Sequence, residues 1–254
     1  KKKIKKMKKT MNHKQLDHGH AYYEIYHTCI LVCLPVVPLM LRGHTTTPIP
    51  SIPIHIICYN RWEGPVRLLH SMDVNLEDGS QTPFKGMLAF PKGQKALKIS
   101  TTGSQEFPCT FGAEVPSFDR TKQLMAFQND VWESNPKHTM QGTVSEGGLG
   151  AVKAFPISDN IESVQIMFWS KDTGKRAAKS KIEVLQGPNS IRQVFDLHCE
   201  GSTQPYHAII ETPGTGWTIR MWSKAPLEYP HEIVVEPHTV TDGSMTGEDR
   251  LWWE

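Results

Sequence analysis

The sequence predicts an all-β protein of two homologous tandem β-sandwich-like domains. Three observations predict it: a long internal repeat, period-two runs inside each copy, and turn residues kept in register between the copies. From Gly79 the chain reads GSQTPFKGMLAFPKGQKALKIST, and from Gly201 it reads GSTQPYHAIIETPGTGWTIRMWS with no gap. Gly79 and Gly201 stand 122 residues apart, as do Pro108 and Pro230, and as do Pro83 with Pro205 and Phe84 with Tyr206. Upstream of one inserted residue, Asp78, the spacing is 123, which matches Gly64 to Gly187, Pro65 to Pro188, Asp73 to Asp196 and Glu77 to Glu200. A unit this long is a small domain duplicated and fused, not a solenoid repeat.

The second copy carries short alternating runs: VQIMFWS (164–170), SKIEVL (180–185), IRQVFDLHC (191–199), YHAIIET (206–212), WTIRMWS (217–223) and HEIVVE (231–236). Each is rich in β-branched or aromatic residues and is bounded by Gly, Pro or Ser, the pattern of sandwich strands. The residues common to both copies fit the same scheme. Gly64-Pro65 and Gly187-Pro188 supply turns, Pro83 and Pro205 open strands where no ladder donor is lost, and Pro108 and Pro230 mark further strand entries. These divisions give a low-complexity, targeting-like leader (1–53), a first β domain (54–133), a linker and swapped-strand region (134–162), and a second β domain (163–254) that is truncated at its C-terminal side if the echo of VWE (131–133) in WWE (252–254) extends the repeat.

The leader expectation rests on composition. Eight lysines and no acid occupy residues 1–14, so the remainder carries +2 minus 8, or −6. A body of that sign does not present the basic face that nucleic acid needs, and the lysines read as a solvated leader. The apolar run CILVCLPVVPLML (29–41) is too short and too rich in proline for a stable membrane span, but it suits a targeting segment, with an unstructured leader as the alternative. TTTPIPSIP (45–53) reads as a stiff extended linker, and residues 1–53 are expected to be dispensable for assembly.

Candidate chemistry is sparse. The five cysteines do not repeat: Cys109 aligns with His231 and Cys199 with Leu76, so neither a disulfide framework nor a zinc site is expected, and free thiols are. The GGLG run (147–150) with Lys153 lacks P-loop spacing and reads as a flexible linker. His18, His20 and His27 could meet a metal but lie in the leader, and no metal or cofactor is expected. Asp73 with Asp196 and Glu77 with Glu200 are the acids shared near the start of both copies. They could form calcium or paired-carboxylate sites, but without a shared His or Lys partner a structural role is expected and no catalytic residue is assigned. Trp217, Trp222, Trp252 and Trp253 are candidates for an interaction surface, since Lys95 and Ser100 stand opposite Trp217 and Trp222 in the first copy; core filling is the other reading.

Four blocks carry a resemblance: LQGPN (185–189), QVFDL (193–197), QPYHAIIETPG ending at Pro213-Gly214, and EYP (228–230). In these the chain resembles the diatom pyrenoid shell proteins, strongly over 164–237 and more loosely over 64–115. The resemblance implies two β-rich halves related by pseudo-twofold symmetry and a non-enzymatic protein that assembles with itself into a sheet-like lattice. It places that lattice around the Rubisco condensate of the plastid stroma, at the pyrenoid periphery, with Rubisco or a Rubisco-associated protein as a neighbour. A secreted carbohydrate-binding or adhesion module is the alternative from a different class, and a hydrolase centred on Asp196 is a third.

Overall fold

The computed structural model describes residues 13–17, 20–25, 28–33, 39–45, 52–60, 68–76, 82–88, 95–101, 109–114, 117–147, 150–169, 177–200 and 206–241. In the first part of the chain these form β1 (His13–Asp17), β2 (His20–Ile25), β3 (Thr28–Cys33), β4 (Leu39–Thr45), β5 (Ile52–Asn60), β6 (Leu68–Leu76), β7 (Phe84–Leu88), β8 (Lys95–Thr101) and β9 (Cys109–Glu114). A helix, α1 (Phe118–Ser134), follows. The second part holds β10 (His138–Met140), β11 (Val152–Pro156), β12 (Ile161–Trp169), β13 (Ala177–Gln186), β14 (Ser190–Glu200), β15 (Tyr206–Glu211), β16 (Trp217–Ser223) and β17 (His231–Val240).

The strands assemble into two antiparallel sheets. The nine-stranded sheet runs β1-β2-β9-β4-β7-β15-β12-β17-β10, and the eight-stranded sheet runs β11-β16-β13-β14-β6-β5-β8-β3. Period-two burial along β16, where Trp217, Ile219 and Met221 are buried and Thr218, Arg220 and Trp222 are not, turns one side of each strand inward. The facing sides meet in one core. Met72, Val74, Ile182, Val184, Phe195 and Leu197 of the eight-stranded sheet pack with Phe84, Val164, Ile166, Phe168, Tyr206 and Ile210 of the nine-stranded one.

Two regions differ from the sequence expectation. Residues 13–45, expected to be leader, contribute β1 to β4, and β5 begins inside the proline-rich 45–53 stretch, so loss of 1–53 would strip strands from both sheets. The lysine run and Pro35 and Pro38 masked this signal, although a proline between two strands breaks only the connection. The 134–162 region, expected to be linker and swapped strand, holds β10 and β11, paired to β17 and β16, with a short 3₁₀ turn (Val144–Glu146) between them.

Finally, residues 118–134 are helical although the 54–133 region was expected to be all-β. Ser117 caps the helix, its Oγ accepting from the Arg120 backbone N–H at 3.3 Å, and Asp119 adds an acid to the first turn. Leu124, Phe127, Val131 and Trp132 form the buried stripe, and Asn135 closes the last turn by donating from Nδ2 to the Val131 carbonyl at 2.9 Å. That stripe packs on Met87, Met167, Ile209 and Val234, which point out of the nine-stranded sheet on the side away from the main core. The result is three layers: helix, sheet, sheet.

Candidate functional site

Four of the sequence-selected residues, Asp73, Asp196, Phe84 and Tyr206, lie on the strands of a seam through the middle of both sheets. In the eight-stranded sheet β6 pairs with β14 so that Asp73 stands opposite Asp196, flanked by Val74 opposite Phe195 and Met72 opposite Leu197. In the nine-stranded sheet β7 pairs with β15, and there Gly86 stands opposite Ala208. Buried contacts tie the two strand pairs together. The Gln193 side-chain amide donates to the Thr82 carbonyl at 2.7 Å, and the rings of Phe84 and Phe195 lie 6.0 Å apart. On the outer side of the nine-stranded sheet Lys85 pairs with Glu211.

Asp73 is exposed and Asp196 half-buried, and Asp196 accepts from the Lys224 ammonium. Among the described residues no group of three or more His, Cys, Asp or Glu side chains is placed to hold a metal ion. Phe84 and Tyr206 are buried at 2% exposure as core residues, while Pro188, Pro213 and Pro230 lie exposed in turns and Pro83 is half-buried before β7. Gly187 has φ of +75°, the left-handed region that glycine enters without a Cβ penalty, and its N–H donates to the Gly216 carbonyl at 2.9 Å. Gly64, Pro65, Pro108, Pro205, Trp252 and Trp253 lie outside the described residues.

The tryptophans divide. Trp217, a candidate for the interaction surface, is a core residue at 4% exposure, its indole N–H donating to the Pro213 carbonyl at 2.9 Å; its place at an inward position of β16 decides this. Trp222, five residues further along β16 and on its opposite side, is half-buried on the outer face of the eight-stranded sheet. Its indole N–H donates to Glu183 Oε2 at 2.9 Å, Arg220 Nε donates to the same oxygen at 2.7 Å, and Lys181 Nζ bonds Oε1 at 2.5 Å. Burial alone would raise the Glu183 carboxyl, but the bonds from Lys181, Trp222 and Arg220 outweigh it and hold the group below the usual carboxylate range. This node is satisfied within the chain and binds a strand surface together.

Sequence reasoning missed what lies under α1. His207 is fully buried between the helix and the nine-stranded sheet, with Nδ1 3.5 Å from the Gln128 amide and its ring 5.8 Å from Phe127. Burial, with a smaller contribution from His238, lowers it to about 3. His231 is buried against Phe168 at 4.5 Å between ring centres and is lowered to about 4 by burial. Both are neutral imidazoles at physiological pH.

Comparison with known families adds a family to this geometry. A family model described as diatom pyrenoid shell protein matches residues 58–237. The chain belongs to the diatom pyrenoid shell protein family. The matched span runs from β5 to β17 and includes the whole seam. No curated protein matches the chain. Among solved structures, the tandem CBM22-1–CBM22-2 domain of Paenibacillus barcinonensis Xyn10C is 10% identical, with 89% of each chain covered and a TM-score of 0.27. A chain of the Sulfolobus turreted icosahedral virus is also 10% identical, with 90% of this chain and 96% of that one covered and a TM-score of 0.25. Scores this low carry no argument about fold or function. No helix among the described residues is long and apolar enough to cross a membrane.

Proposed function

We propose that the protein is a non-enzymatic building block that associates with copies of itself into a thin, sheet-like shell around the Rubisco condensate of the plastid, where the layer confines carbon dioxide. Family membership over residues 58–237 supports the shell role, and the seam supplies its physical basis. Asp73 and Asp196 are 123 apart, and Gly86 and Ala208 are 122 apart, the spacings of the repeat itself. Each sheet therefore has its middle strand pair centred on two repeat-equivalent residues. An antiparallel pairing centred on equivalent residues is what a twofold axis through both sheets generates.

In this reading the chain is two homologous sandwich halves, the first reaching back to β1 and ending before α1, the second running from β10 to β17. The strand orders support it: outward from the seam, β7-β4-β9-β2 is mirrored by β15-β12-β17-β10, and β6-β5-β8-β3 by β14-β13-β16-β11. Two similar but non-identical ends then allow a head-to-tail contact that need not close on itself. Electron microscopy and light scattering of the full chain at rising concentration test this. Extended sheets or tubes are expected, and a monodisperse monomer across the range overturns the reading. Retention on a polysaccharide matrix by that monomer would move it to the carbohydrate-binding alternative.

A further inference from the structure

We propose that β11 is an acceptor edge for strand β3 of a second copy, so that the eight-stranded sheet continues from one molecule into the next. The proposal rests on the shell reading above and names the contact that would propagate it. Two independent observations carry it, one in the backbone and one in the space beside it.

The backbone observation is which groups of β11 face outward. The Ala151 carbonyl accepts from Ser223 N–H at 2.8 Å, and Ile157 N–H donates to the Trp217 carbonyl at 2.9 Å. In an antiparallel pair the bonded residues alternate, so residues 151, 153, 155 and 157 spend their groups on β16 while Val152 and Ala154 direct N–H and C=O away from it. Pro156, the next outward residue, has only a carbonyl to offer. Val152, Ala154 and Pro156 are exposed, and among the described residues no strand pairs with this side of β11. It is an open template for one more strand.

The second observation is an apolar cleft of about 260 Å³ next to that edge. Phe155 and Ile157 wall it from the eight-stranded sheet, and Ile161, Val164, Val235 and Pro237 from the other, with Glu236 the one charged residue in an otherwise apolar lining. The volume falls below the roughly 300–1,000 Å³ of small-molecule pockets and suits one or two side chains. Main-chain bonding at an edge beside a pocket for alternate side chains is the arrangement by which an added strand is bound and selected.

Strand β3 is the occupant this geometry favours. It is the opposite edge of the same sheet, seven positions from β11 in an order in which every neighbouring pair is antiparallel, so the two edges run in opposite directions. A second copy displaced along the sheet therefore brings β3 to β11 in the antiparallel sense already used throughout. Its sequence, TCILVC, is uncharged and suits an apolar cleft.

The test compares amide exchange in dispersed and assembled full-length protein. The Val152 and Ala154 amides should slow by about tenfold or more on assembly. Ala154→Pro, which removes an outward N–H that β16 does not use, should raise the assembly threshold by about tenfold or more with little change in melting. A synthetic peptide of residues 27–34 should inhibit assembly where its scrambled form does not. Sheets that form with both amides still exchanging freely overturn the edge contact and leave the shell reading intact. Equal inhibition by the scrambled peptide overturns β3 as the occupant, and a wild-type chain that never assembles overturns both readings. Should the proline variant fail to fold, amide exchange on the wild type decides alone.

Discussion

Beneath α1 the nine-stranded sheet presents Met87, Met167, Ile209 and Val234, sealed by Leu124, Phe127, Val131 and Trp132 of the helix, with the neutral imidazole of His207 shut in beside them. The outward side of the eight-stranded sheet presents Glu183, Arg220, Lys181 and Trp222 in one node, and Asp196 with Lys224 near it. One outer face is thus stabilised by excluding water and the other by pairing charges at its boundary. The difference bears on the proposed assembly: of these two faces one is capped and the other satisfied, whereas among the described residues the outward backbone groups of β11 meet no neighbouring strand.

The largest expected effect comes from uncapping the dry face. Trp132 is 2% exposed, with its ring centre 5.2 Å from that of Trp169, and Trp132→Ala should destabilise the protein by about 3–5 kcal/mol, read as a lower denaturation midpoint. A slope that changes with the midpoint would instead mean that the helix detaches in a separate step. Acid provides the next effect. His207 and His231 have ordinary values of 6.5 and folded values of about 3 and about 4, so below pH 6.5 the unfolded chain takes up protons that the folded chain refuses. Their stabilisation is complete above pH 6.5 and is lost as pH falls toward the folded values; between pH 7 and 5 the pair should cost about 3–4 kcal/mol. Denaturation midpoints that stay flat over that interval would contradict the burial of both rings, and His207→Gln should remove roughly half the slope. On the charged face the effects are smaller and unequal. Glu183→Gln leaves Arg220 and Lys181 without their carboxylate and should cost about 1–3 kcal/mol. Asp196→Asn, which loses only a solvent-exposed pair, should cost less than about 1 kcal/mol, and equal losses from the two variants would show that burial does not separate these carboxylates.

The charged face and the strands that make it were largely legible in the sequence, because period-two alternation in SKIEVL and WTIRMWS is what a half-buried strand requires and the repeat fixes both runs in a frame. Trp217 and Trp222 could be separated by the same parity, five residues apart on β16 and therefore on opposite sides, but their side chains alone do not say which side is inward. The capped face was not legible. In α1 the buried stripe of Leu124, Phe127, Val131 and Trp132 is diluted by Lys122, Gln123, Gln128, Asn129 and Asp130, and the closing VWE echoes WWE closely enough to be read as part of the β repeat. His207 sits in the run YHAIIE, where alternation places it on an outward position, and only the helix above turns outward into buried. Strands β1 to β4 were hidden by a different cause: a lysine-rich start and proline-broken apolar runs match targeting segments, and neither feature forbids strands that find their partners at β7, β8 and β9.

At the middle of the nine-stranded sheet stands Gly86, where an added Cβ would come within 2.7 Å of the Phe84 ring, directly across from Ala208, which carries such a carbon. If the chain is two homologous halves about a pseudo-twofold axis, as proposed above, then in separate and identical subunits the residue on that axis would face its own copy, and every mutation there would arrive twice: glycine against glycine or alanine against alanine. Joined in one chain, the two positions are inherited independently. On that reading covalent linkage frees the crowded centre of the molecule to keep one methyl group rather than none or two. Evolution of such a chain can tune its middle one side at a time.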